Sequence, residues 1–334
     1  MLPAAIALCC TTSAALLVGW RLGRRGLAVR AALAPAPGTT GRLYNYRPSG
    51  NYNALQAFES PASHTFTRFV VYVGGLTDGL LACPYVPALG DACEQAGWAL
   101  VQPLLSSSYI GYGTGSLDRD AAELALLVSF LAAERGATEV AIVGHSTGCQ
   151  GAVHVMRVAP PHVLSLVRLL VLQAPVSDRQ GGGAEWEAGA AERAALLTRA
   201  EGLIASGRGE ELLTKHHGFV PITAARYASL LGRGGPDDLF SSDLSDAELR
   251  EKLVHLEGTS VLFVHSLADE YVPPDLDAPE LARRFVRAAG AGASALLLKD
   301  ARHNLLPAAA NARPAEEFVQ EVVRALRKCR PPGM

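Results

Sequence analysis

From residue 69 onward the chain repeats one unit: a short β-branched apolar run, a turn, and a stretch with helical periodicity. The runs cover residues 69–73 (FVVYV), 98–102 (WALVQ), 139–143 (EVAIV), 169–173 (LLVLQ), 260–265 (SVLFVH) and 295–298 (ALLL). Strands that are apolar along their whole length bury both faces, which a parallel sheet covered by helices on both sides provides. The expected fold class is therefore α/β, a mostly parallel, doubly wound sheet. Between the second and third runs, Ser116 is placed to cap a helix whose first turn carries Asp118 and Asp120. Leu117, Ala121, Leu124, Val128 and Leu131 recur at spacings of three and four and give that helix one buried face. A last helix is expected from Pro314 to the basic cluster Arg324, Arg327 and Lys328. Ahead of the repeat, residues 53–58 are expected as an antiparallel edge strand.

The repeat fails between residues 175 and 258, where helical stretches and an acidic segment replace it. An excursion of that length between two sheet strands predicts a helical cap over the strands' C-terminal edge, the edge where open α/β sheets bind ligands. The expected organisation is a leader and linker over 1–58, a first core part over 59–174, the cap over 175–258 and a second core part over 259–330. At 49% hydrophobic and 19% charged residues the body supports a large core, and a net charge of −2 argues against nucleic acid as a partner.

The leader stands apart. Residues 1–58 hold six Arg (Arg21, Arg24, Arg25, Arg30, Arg42, Arg47) and no Asp, Glu or Lys. Residues 2–20 are uncharged and followed by RLGRR, which fits a membrane anchor with a cytoplasmic body. The same acid-free composition fits a plastid or mitochondrial transit peptide, with a secretory signal as the third reading. The six Cys show neither a CxxC pair nor Cys/His ligand spacing, so no disulfide framework and no metal site is expected. Oligomeric state is left open.

Gly144-His145-Ser146-Thr147-Gly148 has the form G-x-S-x-G. The bare pattern is weak, but here it directly follows an apolar strand and precedes a helix-compatible stretch. That context makes a nucleophile elbow, with Ser146 Oγ thrust out on a tight turn. A serine hydroxyl needs a base, and the base needs an orienting acid, in the chain order Ser, Asp/Glu, His. Asp269 follows the run 260–265 and His303 follows the run 295–298, so both are expected on the sheet edge that carries Ser146. Asp178 and Asp275 are rival acids. The Thr147 N–H supplies one expected oxyanion donor, and the loop after the first core strand supplies the other from Gly75 or Leu76. Thr77, Ser107, Ser108 and Tyr109 follow strands ending at the same edge, and His216 and His217 lie in the cap. These six are candidate substrate contacts. Cys149 is expected as a packed core residue.

Together VYVGGLTDGLL, LLSSSYIGYGTGSLDRDAAEL, VGHSTGCQ, LQAPVSDR, DEYVP and the late HN resemble the α/β-hydrolase superfamily, and within it the fungal siderophore-esterase (fusarinine C esterase) family. The resemblance spans roughly residues 69–304. It implies a Ser146–Asp269–His303 triad, an oxyanion loop near Gly75, and a hydrolase of carboxylic esters that needs no cofactor. Two other readings stand beside it: an acyltransferase or lipase on the same triad, and a non-catalytic small-molecule binder on the same scaffold.

Overall fold

Branched and aromatic side chains dominate the strands, and their alternation decides which layer each one enters. In the computed structural model, which describes residues 38–47, 55–61, 66–181 and 189–329, ten strands form: β1 Arg42–Asn45, β2 Gln56–Ser60, β3 Arg68–Val73, β4 Ala99–Leu104, β5 Glu139–His145, β6 Val167–Gln173, β7 Leu212–His216, β8 Val220–Thr223, β9 Ser260–Ser266 and β10 Ala293–Leu298. Eight make one sheet in the order β1-β2-β4-β3-β5-β6-β9-β10. All its pairings are parallel except those of β2, which runs opposite to β1 and β4.

Along β3, Phe69, Val71 and Val73 enter one apolar cluster while Val70 and Tyr72 enter the other. That is the period of two expected when both faces of a strand are covered. The first face is covered by α2 (Leu117–Arg135), α3 (Gly148–Val158), the short α4 (Pro161–Leu164), α7 (Asp246–Leu253) and α8 (Ala278–Ala289). The second is covered by α1 (Val86–Gln95) and α9 (Pro314–Lys328). The doubly wound expectation holds, as do the caps: Ser116 accepts from the Arg119 N–H, and α9 runs from Pro314 to a basic last turn with Arg327 and Lys328.

Two boundaries move. The sheet begins at Arg42, so the expected leader limit at residue 58 cuts through β2. The edge strand is β1, and β2 is an interior strand whose Glu59 is buried and ion-paired with Arg135 at the end of α2 (2.6 Å). The acid-free composition continues through β1 and into β2 as far as Phe58, and this hid the boundary. Residues 2–20 lie outside the described residues. Among the described residues no helix is long and apolar enough to cross a membrane.

The insertion is smaller than expected and only partly helical. Helix α5 (Ala190–Ala205), the β7–β8 hairpin and α6 (Ala224–Leu231) share their own apolar cluster, built on Leu213, Val220, Ile222, Tyr227 and Leu230 with Tyr112. The rest of the stretch returns to the main core through Leu239, Phe240, Leu244, Leu249, Leu253 and Leu256. Burying such side chains stabilises by about 1.5–3 kcal/mol each, which outweighs the acidic composition that made this stretch look peripheral.

Candidate active site

Strand β5 ends at His145 and α3 begins at Gly148, leaving two residues to reverse the chain. Ser146 takes φ +53°, a left-handed conformation that costs a non-glycine residue about 1–3 kcal/mol. Its N–H donates to the Gln173 carbonyl (3.0 Å) and its own carbonyl accepts from Cys149 N–H (2.8 Å), so the turn is held from both sides. Glycine is required beyond the serine: a Cβ on Gly148 would stand 2.2 Å from the Val73 carbonyl oxygen. Cys149 is a packing residue, buried with its Sγ against the Gly144 and Gln173 carbonyls.

Asp269 follows β9 and His303 follows β10, so parallel pairing brings both to the edge where Ser146 emerges. His303 Nδ1 lies 2.8 Å and 3.0 Å from the two carboxylate oxygens of Asp269. The carboxylate is an acceptor, which makes Nδ1 the donor and leaves Nε2 with its lone pair. Asp269 is itself held by the Tyr271 N–H (2.9 Å). The His303 backbone is fixed at both ends, its N–H on Glu270 Oε2 (3.0 Å) and its carbonyl on Gln173 Nε2 (2.9 Å). Tyr271 packs edge-on against the imidazole at 4.6 Å. Asp275, the rival on the same loop, is exposed.

Ser146 and His303 both line a cavity of about 540 Å³, within the range of small-molecule sites. Gly75 comes so close to the serine that a Cβ there would stand 2.8 Å from Ser146 Cβ. Its N–H, however, is committed to Asp78 Oδ2 (2.7 Å). Gly75 is thus withdrawn as an oxyanion donor, because the Asp78 turn takes its hydrogen. Leu76 and Thr147 remain the candidate donors.

Of the candidate substrate contacts, Thr77 and His217 line the cavity. The other four do not. Ser108 Oγ accepts the Leu105 N–H and closes its own turn. Ser107 lies away from this cavity beside Asp120, and Tyr109 is an exposed residue stacked over Gly79. His216 is a buried strand residue whose Nδ1 meets the Tyr112 hydroxyl (2.8 Å). Phe219, on the hairpin turn, lines the cavity and carried no signal in the sequence beyond its aromaticity.

Asp178 also lines the cavity, but it faces Gln150 Nε2 (2.8 Å) and not His303. Burial, reinforced by the charges of Asp237 and Asp238 and opposed by Arg226, pushes its carboxyl up to about 8. That shift favours the protonated form at neutral pH, whereas an orienting group must be a carboxylate. Beside the elbow, Asp78, Cys83 and His145 bring one ligand atom each within 4.8 Å of the others, a convergence of metal-ligand types that local spacing did not announce.

The family model described as "Protein of unknown function (DUF1749)" matches residues 33–327. The chain is 31% identical over 290 residues to a UPF0613 protein of Schizosaccharomyces pombe, covering 79% of this chain and 89% of that one. It is 28% identical over 327 residues to the fusarinine C esterase sidJ of Aspergillus fumigatus, covering 83% and 91%. Among solved structures, the siderophore hydrolase EstB from Aspergillus fumigatus superposes with a TM-score of 0.65 at 27% identity, over 88% of this chain and 98% of that one.

Proposed function

The chain belongs to the DUF1749 family and has the α/β-hydrolase fold, and from that premise we propose that it is a serine esterase acting through Ser146, His303 and Asp269. The observation that carries the reading is that His303, hydrogen-bonded to Asp269, lines the same cavity as a serine held at positive φ. Ser146 Oγ attacks the ester carbonyl carbon as His303 Nε2 takes its proton. The N–H groups of Leu76 and Thr147 receive the oxyanion, helped by the N-terminus of α3. The tetrahedral intermediate collapses, the C–O bond to the alcohol breaks, and the imidazolium returns the proton to the departing alkoxide. Water repeats the sequence on the acyl-enzyme and releases the acid. Asp269 keeps Nδ1 protonated and stabilises the imidazolium while it lasts.

For substrate we propose an ester of the hydroxamate siderophore class, on the likeness to a named fusarinine C esterase and a named siderophore hydrolase. We assign an address role, membrane or organelle, to the acid-free segment ahead of the sheet. A fluorophosphonate probe should label the wild type and not Ser146→Ala, whose kcat on any cleaved ester should fall by about 10⁴ or more. Labelling that persists in Ser146→Ala, or none in the wild type, overturns the reading. A panel of aryl, long-acyl and siderophore esters tests the substrate class, and transfer to an added alcohol in preference to water would identify an acyltransferase.

A further inference from the structure

We infer that Asp78, Cys83 and His145 form a binding site for a borderline-soft divalent cation, zinc in particular, and that filling it inhibits the adjacent esterase centre. The three residues come from two places: Asp78 and Cys83 share the loop between β3 and α1, and His145 is the last position of β5. Their ligand atoms nonetheless lie within 4.8 Å of one another.

The imidazole is oriented for the task. Gln173 Nε2 donates to the His303 carbonyl, which turns Gln173 Oε1 toward the Tyr85 hydroxyl (2.9 Å) and His145 Nδ1 (2.5 Å). An amide oxygen only accepts, so His145 Nδ1 carries the proton and Nε2 presents its lone pair to Asp78 and Cys83. A histidine that gives its second N–H to a carbonyl while aiming the other nitrogen at a carboxylate and a thiol is the usual second-shell arrangement around a metal. Nε2 stands 3.9 Å from Asp78 Oδ2, too far for a hydrogen bond. Metal bonds of about 2.0–2.2 Å at a tetrahedral angle put such atoms about 3.4 Å apart, so a closure of about 0.5 Å completes the geometry.

Cys83 is a free thiol, buried to 2% exposure. The buried Tyr72 hydroxyl has Cys83 and Tyr85 among the groups acting on it and would donate to a thiolate. The cation has a way in, because Asp78 and His145 line the active-site cavity. The fourth position would hold water from that cavity. One sulfur, one imidazole nitrogen and one carboxylate oxygen select zinc and exclude magnesium and calcium.

Inhibition follows from a shared atom. Asp78 Oδ2 is the acceptor that fixes the Gly75 N–H, and Gly75 directly precedes the oxyanion donor Leu76. An oxygen drawn onto a cation releases that turn and moves the Leu76 N–H off its aim.

The test uses the full chain. Cobalt(II) added to the metal-free wild type should produce a thiolate-to-cobalt charge-transfer band and the d–d bands of a four-coordinate ion, and zinc should displace it stoichiometrically. Cys83→Ala should lose the charge-transfer band and bind zinc about a hundredfold more weakly in calorimetry. It should also keep chelator-treated esterase activity within about twofold and resist zinc at concentrations that halve the wild-type rate. Absence of the charge-transfer band in the wild type overturns the site. Equal zinc inhibition of both proteins overturns the inhibitory link, placing the ion on Ser146 and His303 instead. If Cys83→Ala does not fold, the wild-type spectrum decides alone. That spectrum needs no esterase activity, so its failure is separable from failure of the esterase reading.

Discussion

Replacing Asp178 by Asn should stabilise the protein at neutral pH and leave ester turnover within about tenfold. The carboxyl stands at about 8 because it is buried beside Asp237 and Asp238, with Arg226 only partly offsetting them. In the unfolded chain it titrates near 3.8. Between those two values the folded protein holds a proton that the unfolded chain has released, so stability falls as pH rises through that window. At pH 7 the interval above the unfolded value is about three pH units, a cost of about 4 kcal/mol for a sealed group. Asp178 lines an open cavity, and screening by cavity water roughly halves that, to about 2 kcal/mol. Asn is neutral, keeps the shape, and still accepts from Gln150 Nε2. Its gain should be about 2 kcal/mol at pH 7 and vanish near pH 4, read by urea denaturation at pH 4, 5, 6, 7 and 8. The companion variant Asp269→Asn removes the acceptor of His303 Nδ1 and should lower kcat by about 10³–10⁴ with the fold intact. The reverse pattern in kcat would transfer the orienting role to Asp178. A stability profile for Asp178→Asn parallel to the wild type from pH 4 to 8 would refute the protonated acid.

Deleting residues 1–58 removes β1 and half of β2 and should yield insoluble protein, whereas deleting residues 1–37 should retain ester cleavage and change where a fluorescent fusion resides in cells. Phe219→Ala and His217→Ala should each shift the kcat/KM ratio between a bulky and a small ester by about tenfold, since both side chains line the cavity from the hairpin; an unchanged ratio in both variants would sink that role. Burial pushes His265 down to about 4, so the unfolded chain gains a proton first as pH falls below 6.5. The His265 contribution to stability should therefore fall between pH 6.5 and 4, opposite in sign to that of Asp178, and His265→Gln should gain stability relative to the wild type as pH falls through that window in the same denaturation series.

The parallel layers were legible because runs such as FVVYV leave a helical or half-exposed reading little room. The proposed triad was legible because α/β topology puts every residue just past a parallel strand on one edge, so the elbow motif and chain order together pointed to Ser146, Asp269 and His303. Three features escaped for physical reasons. Strand β1 carries alternating, partly exposed residues whose composition merges with the segment before it, so the antiparallel strand expected over 53–58 reads as the edge when β2 is interior. Gly75 reads as a donor until Asp78, three residues on, is seen to take its hydrogen. The Asp78, Cys83 and His145 group arises from tertiary approach, and the 61 residues between Cys83 and His145 leave no local spacing to detect.

Strands β6 and β9 pair directly, Leu169 opposite Ser260, although the whole inserted unit lies between them in the chain. To the sheet, that unit is a loop with its own small core, and loop closure depends only logarithmically on length, about 0.6 kcal/mol for each doubling. The roof over the cavity can therefore lengthen, shrink or be exchanged between lineages while β9 keeps its register and Asp269 its reach to His303. Divergence in this family should accordingly concentrate in residues 190–231, where ester preference can drift under selection without the hydrolytic centre having to be rebuilt.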